Sequence, residues 1–509
     1  MPSIDPRDRY FDHALAVAPE DASSVGAAGD ARLRDPSLAG FAAEERALTA
    51  LAAEVRAWTP PDAAASLDRG AMLRRADFRL RTLHDGRARR NLELVALPYA
   101  AICYVESHGR SATARAERVT GYLRALAATF EAELAAGWTP EPAAVEAFAT
   151  EVLPDAVTGL HASGHRAAAE AYEGFARTID NLAVHAREGG DALGADEVRY
   201  RLDNFGVSPA DLLAARAAAS LRDGRAELAR MVPEGQTLNA YLTDAMAPPL
   251  AGDMVAFFTD RCRALTERVR DRLVPWPPDA SIEVRVLPAP PGLAHGNWPC
   301  PLMDPDGRGA FLVSPDPTHH RLFWADVFAV HEAMPGHYLQ SAWWQSAQGG
   351  GKGPHPVRFV ALADDVAAAS QDWGPMAMIE GWAVYAEELM RQDGYFTGTA
   401  AAASLISHAI RAVRVLVDLG LQTGTMTADE ATALYVRETF MPEAWARAQI
   451  ARHRRVPLQG LSYLAGRLAL EDLEAEARAQ AIPALEFRRR VLAEGPLAPS
   501  SLRERILRP

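Results

Sequence analysis

Apolar residues recur along most of this chain at the three- and four-residue intervals of a helix face. Val119, Leu123, Leu126, Phe130 and Leu134 form one such stripe, and Leu48, Leu51, Val55 and Trp58 form another that stops at Thr59-Pro60-Pro61. The stretch from Asp253 to Leu273 has the same amphipathic pattern and ends before Pro275, and the alanine-rich run 211–219 favours helix by propensity. Two segments alone read as strands, Ile282–Leu287 and Ala310–Val313, on either side of a Pro- and Gly-rich stretch at 288–309. No fixed-period repeat interrupts the pattern. The chain is therefore expected to be mainly α, with a small β element late in the sequence.

Composition narrows the setting. With 509 residues, 49% hydrophobic and 23% charged, the chain has an ordinary globular balance and enough length for one large core or several. Its net charge of −13 argues against nucleic acid or an anionic membrane as the main partner. The opening MPSIDPRDRYFDHAL has no basic region followed by an apolar run, and no stretch approaches about 18 uninterrupted apolar residues. Cys103, Cys262 and Cys300 are few, odd in number and widely spaced, as in free thiols of a reducing compartment. These features together predict a cytoplasmic protein without a membrane partner.

The chemistry concentrates in His331-Glu332-Ala333-Met334-Pro335-Gly336-His337, which follows the apolar lead-in Val327-Phe328-Ala329-Val330. Two imidazoles and a carboxylate in so short a span are what a zinc hydrolase needs: neutral nitrogens to hold the ion and a carboxylate to take a proton from water. The common pattern H-E-x-x-H sets its histidines four apart on one helical face. Here the second follows six residues after the first, so a regular helix would turn it away. Pro335 and Gly336 allow a bulge or kink that could restore the approach. The alternative is a helix that ends at Pro-Gly beside two unrelated histidines. A third ligand is expected from Ile379–Leu389, where Glu380 and Glu387 share a face at i and i+7. Glu380 would bind the ion and Glu387 would hydrogen-bond a ligating histidine, while Glu388 points elsewhere towards solvent. Helix-surface charge is the plainer reading of all three.

HEAMPGHYLQ (331–340) followed by EGWAVYAEEL (380–389) resembles the bacterial domain-of-unknown-function family 885, whose motifs are those of zinc metallopeptidases. The opening segment 19–48, IRAVRVLVDLGLQTG (410–424) and RHRRVPLQGLSYLAGR (452–467) are also similar to family blocks, so the likeness spans nearly the whole chain. In architecture the family resembles the helical gluzincins, such as thimet oligopeptidase, angiotensin-converting enzyme and the thermostable carboxypeptidases. The resemblance implies a large helical zincin-like fold, with two lobes around a deep central cleft and a small β element beside the zinc helix. It implies one metallopeptidase-like domain, with 1–280 as a mostly helical N-terminal lobe and 281–509 as the zinc-site lobe. It also implies one Zn²⁺ per chain on His331, His337 and Glu380, with Glu332 as general base and Tyr463 as oxyanion donor. Packing of Tyr463 among Leu461, Leu464 and Leu468 is the structural alternative. The chain departs from the family pattern at Tyr338, at Gln422 in Asp418-Leu419-Gly420-Leu421-Gln422, and in the PLQG sequence at 457–460.

Further candidates are weaker. Arg411, Arg414, Arg452, Arg454 and Arg455 could supply a carboxylate anchor, because a guanidinium grips a carboxylate in a bidentate fork. Arg414 and Arg452 fall at matched family positions, and together with Gln422 they are the expected substrate contacts. The strand Ala310–Val313 could present an edge to an extended substrate or pack beneath the zinc helix. The run Gly349-Gly350-Gly351-Lys352-Gly353 lacks the phosphate-loop pattern and reads as a connection between the motif helices. The expected activity is zinc-dependent hydrolysis of a peptide or amide bond. A non-peptide amide substrate is one alternative, and an inactive helical peptide-binding protein is another.

Overall fold

The computed structural model describes residues 5–507 except 28, 30, 279, 288–293, 305, 349–352, 354 and 361–363. The expected Gly-rich connection at 349–352 therefore lies outside the described residues. Among the described residues the fold is predominantly helical and carries one small three-stranded sheet. The chain divides into two compact units.

The first unit comprises Met1–Ala192, Pro354–Trp373 and Ala451–Pro457. Its core is the inward face of helices Glu93–Ser107, Val119–Ala135 and Arg166–His185. Val119, Leu123, Leu126 and Phe130, the stripe seen in the sequence, are buried in it. Arg115 is fully buried there, and its guanidinium donates to the carbonyls of Ala101, Gly29 and Arg32 and to Ser23 Oγ, so that the charge is spread over four acceptors.

The second unit comprises Leu193–Gly353, Gly374–Ile450 and Leu458–Pro509. Six of its helices matter below: α1 (Ala210–Met231), α2 (Leu322–Phe328), α3 (His337–Gln348), α4 (Gly374–Gln392), α5 (Gly398–Thr423) and α6 (Ser462–Ala479). α5 packs against α1, α2, α4 and α6, and its apolar side chains are buried accordingly.

α4 and α6 cross at two glycines. A Cβ on Gly381 would come within 2.5 Å of the Gly466 backbone, and one on Gly466 would fall 1.6 Å from the Ala377 carbonyl oxygen. Only hydrogen at both positions lets the backbones meet, and this crossing brings the Glu380 segment to the Tyr463 segment. Asp418 on α5 fixes the approach to α6, because its carboxylate accepts from the Leu458 and Leu461 backbone N–H groups at 3.1 and 3.0 Å.

The sheet has the order β1 (Val284–Val286), β3 (Ala310–Val313), β2 (His295–Trp298), with β1 parallel and β2 antiparallel to β3. β3 was a candidate edge strand. It is the central strand, paired on both sides and buried at all four residues, so its run of apolar side chains reflects burial on both faces. The edge beside the motif segment is β2, whose four residues are all half-exposed.

Candidate metal centre

The chain approaches the motif along α2, and the helix then widens. Met334 N–H bonds to the Ala329 carbonyl at 3.2 Å, an i→i−5 bond that closes a π-turn over Ala329–Ala333. Residues 334–336 break the helix, the Met334–Pro335 bond is cis, and α3 starts afresh at His337. Gly336 is needed at this break. Its N–H reaches the Val330 carbonyl at 3.0 Å, and a Cβ would lie 1.8 Å from the His331 carbonyl oxygen. The six-residue spacing is thus accommodated by one wide turn and a break, which brings the two imidazole centroids to 4.7 Å.

Other motif residues hold this geometry. Trp382 Nε1 donates to the Pro335 carbonyl at 2.9 Å, and Gln340 Nε2 donates to the Met378 carbonyl at 3.1 Å, so α4 is pinned to both sides of the break. From the sheet, Asn297 Nδ2 donates to the Glu332 carbonyl at 3.0 Å.

Glu380 completes the cluster. Its Oε2 lies 3.5 Å from His331 Nε2 and 3.4 Å from His337 Nε2, and candidate ligand atoms from the three residues all lie within 4.8 Å of one another. Glu380 Oε2 is buried without a hydrogen bond, as is His337 Nδ1. Lone pairs from two imidazoles and a carboxylate converging on one buried point repel unless a cation stands between them, so this donor set fits a divalent ion.

Glu387 orients the first histidine. His331 Nδ1 donates to Glu387 Oε1 at 2.7 Å, which leaves the Nε2 lone pair directed at the cluster. Ser407 Oγ donates to Glu387 Oε2 at 2.8 Å and Arg411 Nη2 to Oε1 at 3.1 Å, while Arg411 Nη1 also contacts Ser407 Oγ. Burial would raise the Glu387 pKa, but Arg411 and His331 overcome it and hold the carboxyl at about 2. Burial likewise opposes charge on His331, but the carboxylates of Glu380 and Glu387 prevail and raise it to about 9, so the cluster calls for a cation at Nε2, either a proton or a metal ion that displaces it. Glu332 is half-buried, and its charge adds to the field on His331.

Tyr463, at the start of α6, lays its ring nearly parallel to His331 with centroids 6.3 Å apart. The guanidinium of Arg414 sits 4.8 Å from the same ring and that of Arg411 sits 5.8 Å from it.

Other expected residues have partners of their own. Glu388 was read as solvated. It is buried and bonded to Arg391 and Gln392, and these partners with His408 outweigh burial to hold it at about 2. Gln422 is buried at the end of α5, where its Oε1 accepts from Leu193 N–H at 3.2 Å and its carbonyl accepts from Gly194 N–H. Arg452 belongs to the first compact unit, where its charge falls on Glu93. The sequence pattern did not single out Ser407 or Asn297, and it offered Arg411 as a candidate substrate-carboxylate anchor, whereas its guanidinium binds Glu387. The i, i+4 spacing of Ser407 and Arg411 was the available signal, but it could not reveal that both face Glu387.

No curated protein is detectably similar to this chain. Two solved structures share its fold. One is described as a "putative lipoprotein" from Colwellia psychrerythraea, with TM-score 0.77, 15% identity and 99% of each chain covered. The other is described as a "putative lipoprotein of unknown function" from Shewanella oneidensis, with TM-score 0.71, 17% identity and 99% of each chain covered. At these identities the likeness shows the fold alone. It nonetheless overturns the expectation of a cytoplasmic protein without a membrane partner, since this fold occurs in proteins described as lipoproteins, a class held at membranes by lipid. Few cysteines and an acidic balance were insufficient grounds for that placement. α5 is long and apolar enough to cross a membrane, with mean hydropathy 1.5 over its most apolar window, and 72% of that window is buried inside the fold. A model of the bacterial family of unknown function DUF885 matches residues 19–506, nearly the full length, and the chain belongs to that family.

Proposed function

We propose that this chain is a metal-dependent amide hydrolase, most simply a zinc peptidase. The observation that carries the reading is the convergence of His331, His337 and Glu380 donor atoms on one point, with Glu380 Oε2 buried and unbonded. A divalent ion held by these three residues supplies Lewis acidity, which makes water nucleophilic near neutral pH and polarises a carbonyl. An N,N,O donor set with one zinc per chain suits this role.

The chain's own groups do the rest. Glu332, next to the first ligand, accepts the proton of the attacking water and passes it to the leaving amine. Glu387 keeps the His331 ring in one tautomer and orientation, and Ser407 and Arg411 keep Glu387 ionised and in place. Tyr463, stacked beside His331, donates its hydroxyl to the oxygen that gains charge, a contribution of roughly 2.7–4 kcal/mol per donor in comparable sites.

A peptide is the preferred substrate because of β2. Ser314 N–H bonds to the Ala294 carbonyl, so by the antiparallel alternation Gly296 and Trp298 bond towards β3. The main-chain groups of His295 and Asn297 then point to the outer edge, where an extended peptide could add as a further strand. A zincin-like helical fold around the metal centre belongs to the same proposal. Glu332→Gln tests it. The variant should keep its metal and lose turnover by roughly 10²–10⁴-fold. Near wild-type rates would remove Glu332 from this role.

A further inference from the structure

We propose that a second cavity, walled by other faces of the helices that build the metal centre, binds a small zwitterion of the amino-acid or dipeptide class. Arg467 receives its carboxylate, and Asp223 with Glu227 receives its ammonium. The inference goes beyond the hydrolase reading and needs neither the metal nor turnover.

The cavity has a volume of 330 Å³ and lies among α1, α4, α5 and α6, entirely within the second unit. That is the lower end of the range for ligand sites, so the occupant is small. Glu387 on α4 and Ser407 on α5 serve the metal cluster, whereas the next residue on each helix, Glu388 and His408, lines the cavity. Consecutive side chains on a helix point to different faces, so one helix pair walls both sites.

The three guanidinium groups of the wall are differently engaged. Both terminal nitrogens of Arg216 bond to Asp472, at 2.6 and 3.0 Å. Arg391 gives Nε and Nη2 to Glu388 and Nη1 to Glu227. Arg467 gives Nε to Glu471 at 2.8 Å, and its Nη1 is buried without a hydrogen bond. A buried guanidinium nitrogen without an acceptor is costly, and a carboxylate is the acceptor that suits it best. His408, within the field of Arg467, is 8% exposed, and its Nε2 is likewise buried and unbonded. In the tautomer that carries its proton at Nε2, this imidazole can donate to the same carboxylate.

A lone anion would be poorly matched, because Asp223, Glu227 and Glu388 also line the cavity. Asp223 and Glu227 stand one turn apart on α1, where like charges repel. Arg391 reaches Glu227 at 3.2 Å, while Asp223 is exposed. An ammonium beside the two carboxylates relieves their repulsion. Donors on α6 and paired carboxylates on α1 together match a ligand that carries both charges. Leu405 and Leu468 add apolar surface for a side chain.

Titration calorimetry on full-length protein tests this, with L-leucine and glycyl-leucine as probes; whichever binds more tightly sets the length of the ligand. Isocaproate, which is leucine without its ammonium, and isoamylamine, which lacks the carboxylate, should bind about 10-fold or more weakly than L-leucine. Arg467→Gln should weaken L-leucine by about 10- to 100-fold, the range of a charged hydrogen bond. Because Arg467 adjoins the α4–α6 crossing, a second variant on exposed ground is included. Asp223→Asn with Glu227→Gln should weaken L-leucine by about 10-fold and leave isocaproate unchanged. His337→Ala should keep the binding, which separates the cavity from the metal centre. Four results overturn the proposal: no saturable binding of either zwitterion, isocaproate as tight as L-leucine, affinity untouched by the Arg467 and α1 variants, or binding lost in His337→Ala.

Discussion

Gly466→Ala is a substitution on which helix propensity and packing disagree in sign. Position 466 lies inside α6, where alanine is favoured over glycine by about 1 kcal/mol, so propensity alone predicts a more stable protein. The crossing predicts the opposite. The new Cβ would lie 1.6 Å from the Ala377 carbonyl oxygen and 2.8 Å from the Gly381 Cα. A carbon–oxygen contact settles near 3.3 Å, so the helices must part by about 1.7 Å along that line. Both obstacles are backbone, and no rotamer change relieves them. Overpacking of this kind costs about 1–3 kcal/mol, and more where backbone must move, which exceeds the propensity gain. Glu380 adjoins Gly381, so the same displacement carries a proposed ligand away from His331 and His337. Urea unfolding with and without zinc measures both effects. Gly466→Ala should lower the midpoint and weaken the shift that zinc produces. A variant as stable as wild type with an unchanged zinc response would refute the account of the crossing.

Two further outcomes follow from the same geometry. Glu387→Ala removes the acceptor that orients His331 and a nearby negative charge, so metal affinity should fall roughly 10–100-fold, read by competition with a chromophoric chelator. Stability should also depend on pH through His295, whose ring packs among Phe258, Phe311 and Phe328. Although the residue as a whole is half-exposed, its ring is enclosed by these aromatics, and that desolvation, with a contribution from His320, pushes the imidazole down to about 3, against an ordinary value of 6.5. Between these values the unfolded chain binds a proton that the folded chain refuses, so stability falls as pH drops from 6.5 towards 3. The slope is at most about 1.4 kcal/mol per pH unit from this group. Urea midpoints from pH 7 to 5 should show that loss flattened in His295→Phe, and an identical slope in the two proteins would contradict it.

Much of the centre was legible because its residues lie within short windows. His331 and His337 could be selected from donor chemistry in one short motif, and the need for distortion at Pro335-Gly336 followed from the six-residue interval, whereas Glu380 and Glu387 read most plainly as helix-surface charge by spacing and were marked out by the family resemblance. The form of the distortion did not, because a π-turn depends on which carbonyl Met334 N–H finds once β2 and α4 are in place. Glu388 was misread for a similar reason: Arg391 and Gln392 lie beside it in sequence, but its burial comes from the packing of whole helices. Gly381 and Gly466 looked like ordinary helix glycines until their crossing placed each against the other's backbone. The strand Ala310–Val313 was found at its expected bounds, yet its central place required knowing that His295–Trp298 pairs with it. Subcellular placement failed because composition constrains solubility and charge, and neither identifies a compartment.

The measurement that bears most directly on the central claim is the metal content of purified protein, wild type beside His337→Ala, after loading with zinc and removal of excess. The account predicts about one zinc per chain in wild type and its loss in the variant, with helical content unchanged. Wild type without stoichiometric metal, or a variant that binds it equally well, would contradict the metal centre and the hydrolase built on it.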